Sequence, residues 1–241
     1  MTDAPTYIGT AGWSVPSRYA GRFPAEGSHL ERYARRLNAV EIDTSFYRPH
    51  RRETYERWAA SVPAEFRFAV KLPRTVTQER RLKDCGDLLD RFAGEVAGLG
   101  PKLGALLVQL PPSLAFEAEA VEAFFRELHG RIDGPAVCEP RHASWFQPEA
   151  ERLLERLRVA RVAADPARAE GAGEPGGWGG LVYYRLHGSP RIYYSDYDET
   201  VLAGMRRRLR EHRAAGVPAW CIFDNTAAFA ALGNALTVAG L

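Results

Sequence analysis

The stretch LVYYRLHG, residues 181–188, alternates apolar and ionisable side chains and therefore predicts a strand with two different faces. Tyr184 and Leu186 fall on one parity, whereas Arg185 and His187 fall on the other. A strand within a parallel sheet is covered on both faces, so charges on one face need partners inside the fold. The stretch indicates a strand whose second face meets other charged residues.

Seven further runs share its length and its content of β-branched and aromatic residues, and each predicts a strand. They lie at 7–13, 40–47, 67–73, 104–111, 136–141, 161–165 and 220–226. Most of the intervening segments carry apolar residues at three- and four-residue spacing, which predicts helices. These segments are 29–37, 53–62, 85–99, 117–130, 148–158, 199–216 and 228–241. Alternating strands and helices indicate parallel pairing with right-handed crossovers.

Eight such units in 241 residues predict one α/β domain over residues 1–241, a (β/α)8 barrel of TIM type with a parallel eight-stranded sheet. The sixth crossover, residues 166–180, is the Gly-rich PARAEGAGEPGGWGG and reads mostly as loop. An open doubly wound sheet is the alternative architecture. Because no long apolar run and no signal-peptide pattern occurs, we expect a cytoplasmic protein with no membrane association.

The polar residues of these strands share one parity, which would point into a barrel. This set contains Glu41, Asp43, Lys71, Gln109, Glu139, Arg141, Asp165, Arg185, His187 and Asp224. Active sites of such barrels lie at the carboxyl ends of the strands, where most of these residues fall. Glu41 and Arg185 lie deeper, and we expect them to form an internal ion pair.

Two of the carboxylates also have simpler structural interpretations. Asp165 precedes Pro166 and could cap a turn, and Asp224 could cap the last helix. Lys71, Glu139 and His187 have no local capping role, and we expect them to be catalytic. The predicted substrate-binding residues are Arg141, Arg185, Asp43, Gln109, Asp224, Asn225, Trp13, Tyr47 and Trp145.

The expected chemistry is general acid/base catalysis. Glu139 or Lys71 would be the base and His187 the acid or its partner. Lys71, if it lay among like charges, could instead act as a Schiff-base nucleophile. The loops that follow the strands are rich in Arg and aromatic residues, and the loop at 189–197 follows the seventh strand, where phosphate often binds in barrels. An anionic substrate carrying phosphate or sugar is therefore expected.

Other functions stay open at this point. The basic, aromatic rim could serve a nucleic-acid or nucleotide binding module without catalysis, although the net charge is only +2. A metal-dependent phosphodiesterase is a further alternative, and Glu139 with Asp224 is a conceivable glycosidase pair. We expect no cofactor, because no dinucleotide, P-loop or HExxH motif occurs, and no metal, because a two-His zinc site would need both His142 and His187. The three cysteines have no paired spacing and are expected to be structural.

Several segments together resemble one family. They are GTAGWSVP (9–16), VEIDTSFYR (40–48), FAVKLPR (68–74), LGALLVQLPPS (103–113), EPRHASW (139–145), YYRLHGSPRIYYSDY (183–197) and FDNTAAFAALGNAL (223–236). In this order they resemble the YecE-like family, known as domain of unknown function 72. The resemblance implies a TIM-barrel-like fold, likened to endonuclease IV-type and sugar-isomerase barrels, and no established activity. The chain departs from the family pattern at Thr77-Gln78, where the family often has Thr-His, and at Glu139-Pro140-Arg141-His142, where it often has Glu-Phe-Arg-His.

Overall fold

The computed structural model describes residues 4–241; residues 1–3, which the single-domain expectation includes, lie outside the described part. Its strands are β1 (Thr6–Thr10), β2 (Ala39–Ile42), β3 (Arg67–Lys71), β4 (Leu103–Gln109), β5 (Ala136–Glu139), β6 (Val159–Arg161), β7 (Ala163–Asp165), β8 (Gly176–Gly177), β9 (Val182–Leu186) and β10 (Ala219–Phe223). Its α-helices are α1 (His29–Ala34), α2 (Arg52–Ala60), α3 (Gly86–Val96), α4 (Ala118–Arg131), α5 (Pro148–Arg156), α6 (Glu199–Ala214) and α7 (Ala230–Ala239). Each predicted strand run and helical segment overlaps one of these elements, and the sixth run overlaps two, β6 and β7.

The strands form two sheets of mainly parallel strands. One sheet has the order β1-β10-β9-β7 and the other the order β2-β3-β4-β5-β6-β8. Every pairing is parallel except that of β6 with β8. The fold class is therefore α/β with parallel sheets, as expected. The short strand β8 lies in the Gly-rich sixth crossover and was not predicted.

The hydrogen-bond ladders do not form one continuous eight-stranded sheet, which differs from the predicted barrel. The sixth predicted strand is divided at Val162: β6 pairs with β5, whereas β7 pairs with β9. At the other junction, an isolated bridge joins Ala11 to Glu41, and the Gly12 amide donates to the Glu41 carbonyl at 2.8 Å. The strand changes partner at Val162, so the regular ladder is interrupted there.

Successive residues of a strand lie on opposite faces of the sheets. Phe68, Val70 and Leu106 pack in the large cluster beneath the helices, whereas Ala69 and Leu107 belong to a second cluster on the opposite, inner face. The predicted parity is thereby confirmed for β3 and β4. Burial of these side chains on both faces supplies most of the driving force for the fold.

Large aromatic rings fill the amino-terminal half of the inner face. Tyr183 stacks on Trp220 with ring centroids 5.6 Å apart, and Tyr7 lies 4.6 Å from the same indole. The indole needs small neighbours: a Cβ at Gly104 would lie 2.5 Å from its Cζ2 atom. Aromatic packing thus occupies one end of the inner face and leaves the carboxyl ends of the strands to polar residues.

The strands lead into short irregular segments at their carboxyl ends. A 3-10 turn follows β2 at Thr44–Phe46, a π-helical turn follows β3 at Thr75–Glu79, and a loop at 187–198 joins β9 to α6. None of the helices in residues 4–241 is long and apolar enough to cross a membrane. Cys85, Cys138 and Cys221 are buried free thiols, which agrees with their predicted structural role.

Candidate active site at the carboxyl ends of the strands

Arg185 on β9 is fully buried, with 0% exposure, and is surrounded by three carboxylates. Its Nε and Nη2 atoms donate to Glu41 at 3.0 and 2.6 Å, which confirms the predicted ion pair. Its Nη1 donates to Glu139 at 2.6 Å, and Nη2 also donates to Asp224 at 3.0 Å. The planar guanidinium provides donors in several directions at once, so one cation holds three acids from β2, β5 and the end of β10.

His187 lies at the end of β9 and joins two of the same acids. Its Nδ1 is 3.0 Å from Asp224 Oδ2, and its Nε2 is 3.1 Å from Glu139 Oε1. An ionised carboxylate only accepts hydrogen bonds, so this geometry favours a proton on both ring nitrogens, which makes the ring an imidazolium. Burial lowers the pKa of His187, but the attraction of Glu139 and the hydrogen bonds to both acids outweigh burial and raise this pKa above 6.5.

Glu139 is saturated with donors. Besides Arg185 and His187, it accepts from Gln109 Nε2 at 3.0 Å and from Arg141 Nη2 at 3.2 Å. Burial would raise the pKa of Glu139, but the charges of Arg185, His187 and Arg141 hold it well below 4.5. A carboxylate so strongly held ionised is a poor proton acceptor. The role of base predicted for Glu139 stays a prediction, and these contacts do not favour it.

Asp224 shares two of the partners of Glu139, Arg185 and His187, and caps no helix. Helix α7 begins at Ala230, and its N-cap Phe229 makes no side-chain cap. Burial would raise the pKa of Asp224, but Arg185 and the hydrogen bond from His187 lower it. Both acids of the conceivable glycosidase pair are thus already bonded to Arg185 and His187, which leaves neither free to protonate a leaving group.

Lys71 and Asp43 form a second pair at the ends of β3 and β2. Lys71 Nζ lies 2.7 Å from Asp43 Oδ1 and 4.2 Å from the centroid of the Phe46 ring. Lys71 is buried, whereas Asp43 keeps 27% of its side chain exposed. The nearest charge to the lysine is a carboxylate, so the like-charge environment considered for a Schiff base is absent. The charge of Lys71 also lowers the pKa of Asp224, which links this pair to the Arg185 cluster.

A cleft of about 510 Å³ opens beside this pair. Asp43 lines it, and the loop after β10 forms part of its wall through Thr226 and Phe229. Trp13 and Trp58 meet there edge to face, with centroids 5.0 Å apart. Predicted contact residues Asp43 and Trp13 thus share one cleft. The remaining lining residues are Thr10, Ala11, Gly12, Ser14, Pro16, Ile42, Thr44, Arg48, His50, Trp58, Ala231 and Leu232.

Three of the expected contact positions lie elsewhere. Trp145 is 0% exposed, and its Nε1 donates to the Leu114 carbonyl at 2.9 Å, so it packs in the core and reaches no ligand. Asn225 is buried and its side-chain amide donates to Ser195 O at 2.9 Å. Tyr47 is 69% exposed and lines a separate groove.

Asp165 does not take the inward parity expected from the sequence. Ala164 pairs with Arg185 in register, so Ala164 occupies the inward position and Asp165 the outward one. Its carboxylate accepts from the Tyr197 hydroxyl at 2.7 Å. The side chain therefore anchors the loop after β9 and belongs to no charged cluster.

Two side chains that contact the charged cluster were not among the predicted site residues. Tyr193 lies over His187, with ring centroids 5.9 Å apart and planes at 90°, and it hydrogen-bonds Arg141. Its φ of +69° places the ring there, and the sequence carries no signal for that. Gln78 Nε2 donates to the Gln109 carbonyl at 3.3 Å. The sequence signal for Gln78 was its place in the Thr77-Gln78 pair, where the chain departs from the family pattern.

A metal ion does not fit this cluster. Within residues 4–241, no group of three or more His, Cys, Asp and Glu side chains is arranged to hold one. The carboxylates of Glu41, Glu139 and Asp224 point at the guanidinium of Arg185 instead, and a divalent cation would have to replace it. His142, the second histidine of the zinc alternative, hydrogen-bonds Ser144 at 2.8 Å.

The loops around the site carry fewer unpaired cations than their sequences suggest. Arg74 pairs with Glu79 at 3.1 Å, and Lys83 pairs with Glu117 at 2.5 Å. Arg48 lines the cleft and forms no ion pair with any residue of the described chain. The positive character of this rim is therefore local to a few side chains.

Comparison with known proteins gives relatives without an assigned activity. The chain is 33% identical over 153 residues to UPF0759 protein YecE of Escherichia coli, a match covering 62% of this chain and 54% of that protein. It is 28% identical over 177 residues to UPF0759 protein YunF of Bacillus subtilis, a match covering 69% of this chain and 63% of that protein. The chain thus matches only about half to two thirds of these relatives' lengths.

Solved structures give the same grouping. A DUF72 family protein from Enterococcus faecalis superposes with a TM-score of 0.79 at 22% identity, covering 99% of this chain and 97% of that chain. A sugar phosphate isomerase/epimerase from Parabacteroides distasonis superposes with a TM-score of 0.55 at 13% identity, covering 99% and 93%, which is a likeness of fold. The family model described as "Protein of unknown function DUF72" matches residues 7–241. The chain belongs to this family, as the sequence resemblance indicated.

Proposed function

We propose that this chain is an enzyme that uses general acid/base chemistry on a small anionic substrate bearing sugar or phosphate. One observation carries the proposal: the ring of His187 is held between Glu139 and Asp224 at the strand ends, and the neighbouring Lys71–Asp43 pair reaches an open cleft through Asp43. Buried charges cost several kcal/mol unless paired, so a purely structural core would not need so many at one end. Sites of perturbed pKa beside a cleft are candidate active sites.

We further infer that the chain folds as one domain whose two sheets together form a TIM-type barrel. The bridge from Ala11 to Glu41 and the continuous chain through Val162 lie at the two places where such a barrel would close. In that arrangement the carboxyl ends of all strands surround one mouth, which is where barrel enzymes carry their chemistry.

The proposed proton-transfer roles follow from the cleft lining for Asp43 and from the hydrogen bonds of the ring for His187, which lies outside that lining. Asp43 is the half-exposed carboxylate there, and Lys71 holds one of its oxygens, so Asp43 is the proposed base and Lys71 its positioning partner. His187 is the proposed acid: a substrate oxygen that displaced one carboxylate from its ring would receive a proton in place of that hydrogen bond. Arg185 and Glu41 form the fixed frame beneath them.

The substrate class rests on charge and shape. Arg48 is a cation at the cleft without an acidic partner in the described chain, and Arg141 is half-buried beside Tyr193. Guanidinium groups in a partly enclosed site favour phosphate or carboxylate groups. The Parabacteroides protein with the similar fold is described as a sugar phosphate isomerase/epimerase, and proton transfer next to a carbonyl is chemistry that an acid/base pair can perform.

The test is solvent deuterium exchange into aldose and ketose phosphates, followed by NMR in D₂O. The wild type is expected to exchange at least one substrate, and Asp43→Asn and His187→Gln each to lose about 10²–10⁴-fold in rate. Glu122→Gln, an exposed helix position, serves as the matched control and is expected to keep the wild-type rate. Full exchange in both site variants, with normal circular dichroism, would overturn the assignment of roles. Absence of exchange in the wild type with every sugar phosphate would overturn this form of the function.

A further inference from the structure

The cleft beside the charged cluster has aromatic walls. Trp13 and His50 each meet Trp58 edge to face, with centroids 5.0 Å apart in both cases. Burial and the nearby Arg48 lower the pKa of His50 below 6.5, so its ring is neutral at pH 7. A continuous neutral aromatic surface therefore lines a cleft whose neighbouring cluster is highly charged.

Phe229 adds a further ring at the rim. It is 54% exposed and lines the cleft, although phenyl groups are normally buried. Its backbone has φ +61° and ψ +21°, the left-handed region that bulky residues rarely adopt. Strained residues of this kind cluster at ligand clamps, where the surrounding structure holds them in place. Packing of the core does not account for an exposed ring held in this conformation.

Within the described chain, the cleft lining contains one acidic and one basic side chain, which have opposite charges. Asp43 is a half-buried carboxylate that lines the cleft, with one oxygen bonded to Lys71. Arg48 is an exposed guanidinium without an ion pair in the described chain. A ligand that satisfies both groups carries hydroxyls for the carboxylate and an anionic group for the guanidinium. The cleft volume of about 510 Å³ suits a ligand of this size.

We propose that the cleft binds a nucleotide, with its base against the aromatic walls, its sugar hydroxyls at Asp43 and its phosphate at Arg48. This inference rests on the proposed function: it keeps the anionic substrate and Asp43 as the proton acceptor, but the proton would come from a ribose hydroxyl and not from a carbon next to a carbonyl. A simple sugar phosphate would satisfy Asp43 and Arg48 but would leave the rings of Trp13 and Phe229 without a contact. A base provides the flat π-surface that such rings stack on.

The experiment is calorimetric titration with adenosine 5′-monophosphate and with ribose 5-phosphate. The nucleotide is expected to bind about ten-fold more tightly, the factor that one stacked base contributes. Phe229→Gly, which also relieves the positive φ, is expected to weaken the nucleotide and leave ribose 5-phosphate unchanged. Arg48→Ala is expected to weaken both ligands. Tyr194→Ala is the matched control, because Tyr194 is an exposed aromatic on a neighbouring loop outside the cleft and stacks on Arg191.

The possible failures are distinct. Equal affinity of the wild type for both ligands, or equal weakening of both by Phe229→Gly, would overturn the nucleotide inference and leave the acid/base function standing. Binding of neither phosphate would overturn this inference and the proposed anionic substrate together. Weakening of the nucleotide by Tyr194→Ala to the same degree as by Phe229→Gly would show that the base does not lie in this cleft.

Discussion

His187 bridges Glu139 and Asp224, with its Nε2 3.1 Å from one carboxylate and its Nδ1 3.0 Å from the other. Beneath it, Arg185 contacts the same two acids and Glu41. Two cations and three anions therefore share one network at the strand ends. Removing any member changes the charge state of the others, and this coupling makes the network testable.

Replacing Arg185 with Met is expected to destabilise the fold by about 3–5 kcal/mol, because three buried carboxylates lose their common cation. Urea denaturation followed by circular dichroism measures the free energy of unfolding. Arg126→Met is the matched control: Arg126 pairs with Glu122 on the exposed face of α4, and its loss should cost less than about 1 kcal/mol. Similar losses of unfolding free energy in the two variants would show that the buried Arg185 network stabilises the fold no more than a surface ion pair does.

Replacing Glu139 with Gln is expected to lower the pKa of His187, because the attraction of this carboxylate is the largest contribution that raises it. The change is read from the pH titration of the ring protons by NMR. Asp43→Asn is the matched control, since Asp43 pairs with Lys71 and has no contact with the imidazole. An unchanged His187 titration in Glu139→Gln would contradict the network.

The stability contributed by His187 should depend on pH in a defined direction. Its folded-state pKa lies above 6.5, so protonation stabilises the fold fully below 6.5 and this contribution is lost as the pH rises through the folded-state pKa. The difference in unfolding free energy between wild type and His187→Gln should therefore be larger near about pH 6 than near about pH 9. A difference that stays constant or grows with pH would contradict the assignment.

Chelation should have no effect on stability. The carboxylates of Glu41, Glu139 and Asp224 are bonded to Arg185, and their oxygens are directed at a guanidinium. Dialysis against EDTA should leave the Tm unchanged, and elemental analysis should find far less than one equivalent of metal. One tightly bound equivalent whose removal lowers the Tm would show that the cluster rearranges around a cation.

Much of this arrangement could be predicted from alternation alone. The inward parity of Glu41, Lys71, Gln109, Glu139 and Arg185 follows from a period of two in regular strands, and all five are buried. The error at Asp165 arose in the strand that changes partner at Val162, where assigning the inward face needs the actual pairing.

Other features depend on contacts distant in sequence. Trp145 looked like a mouth residue, but its ring packs against Phe116 with centroids 5.2 Å apart. The sequence does not reveal that four side chains, from two other strands and its own loop, hydrogen-bond Glu139. The cleft itself combines segments after β1, β2 and β10, so its aromatic walls were visible only in the folded chain.

The charge of the His187 ring at neutral pH tests the central claim most directly. Long-range ¹H–¹⁵N correlation spectra at pH 7 distinguish an imidazolium from either neutral tautomer. The network predicts that both ring nitrogens of His187 are protonated, while His50, whose pKa is lowered, is neutral in the same spectrum. A neutral His187 at pH 7 would contradict the account, because one nitrogen would then face a carboxylate without a proton between them.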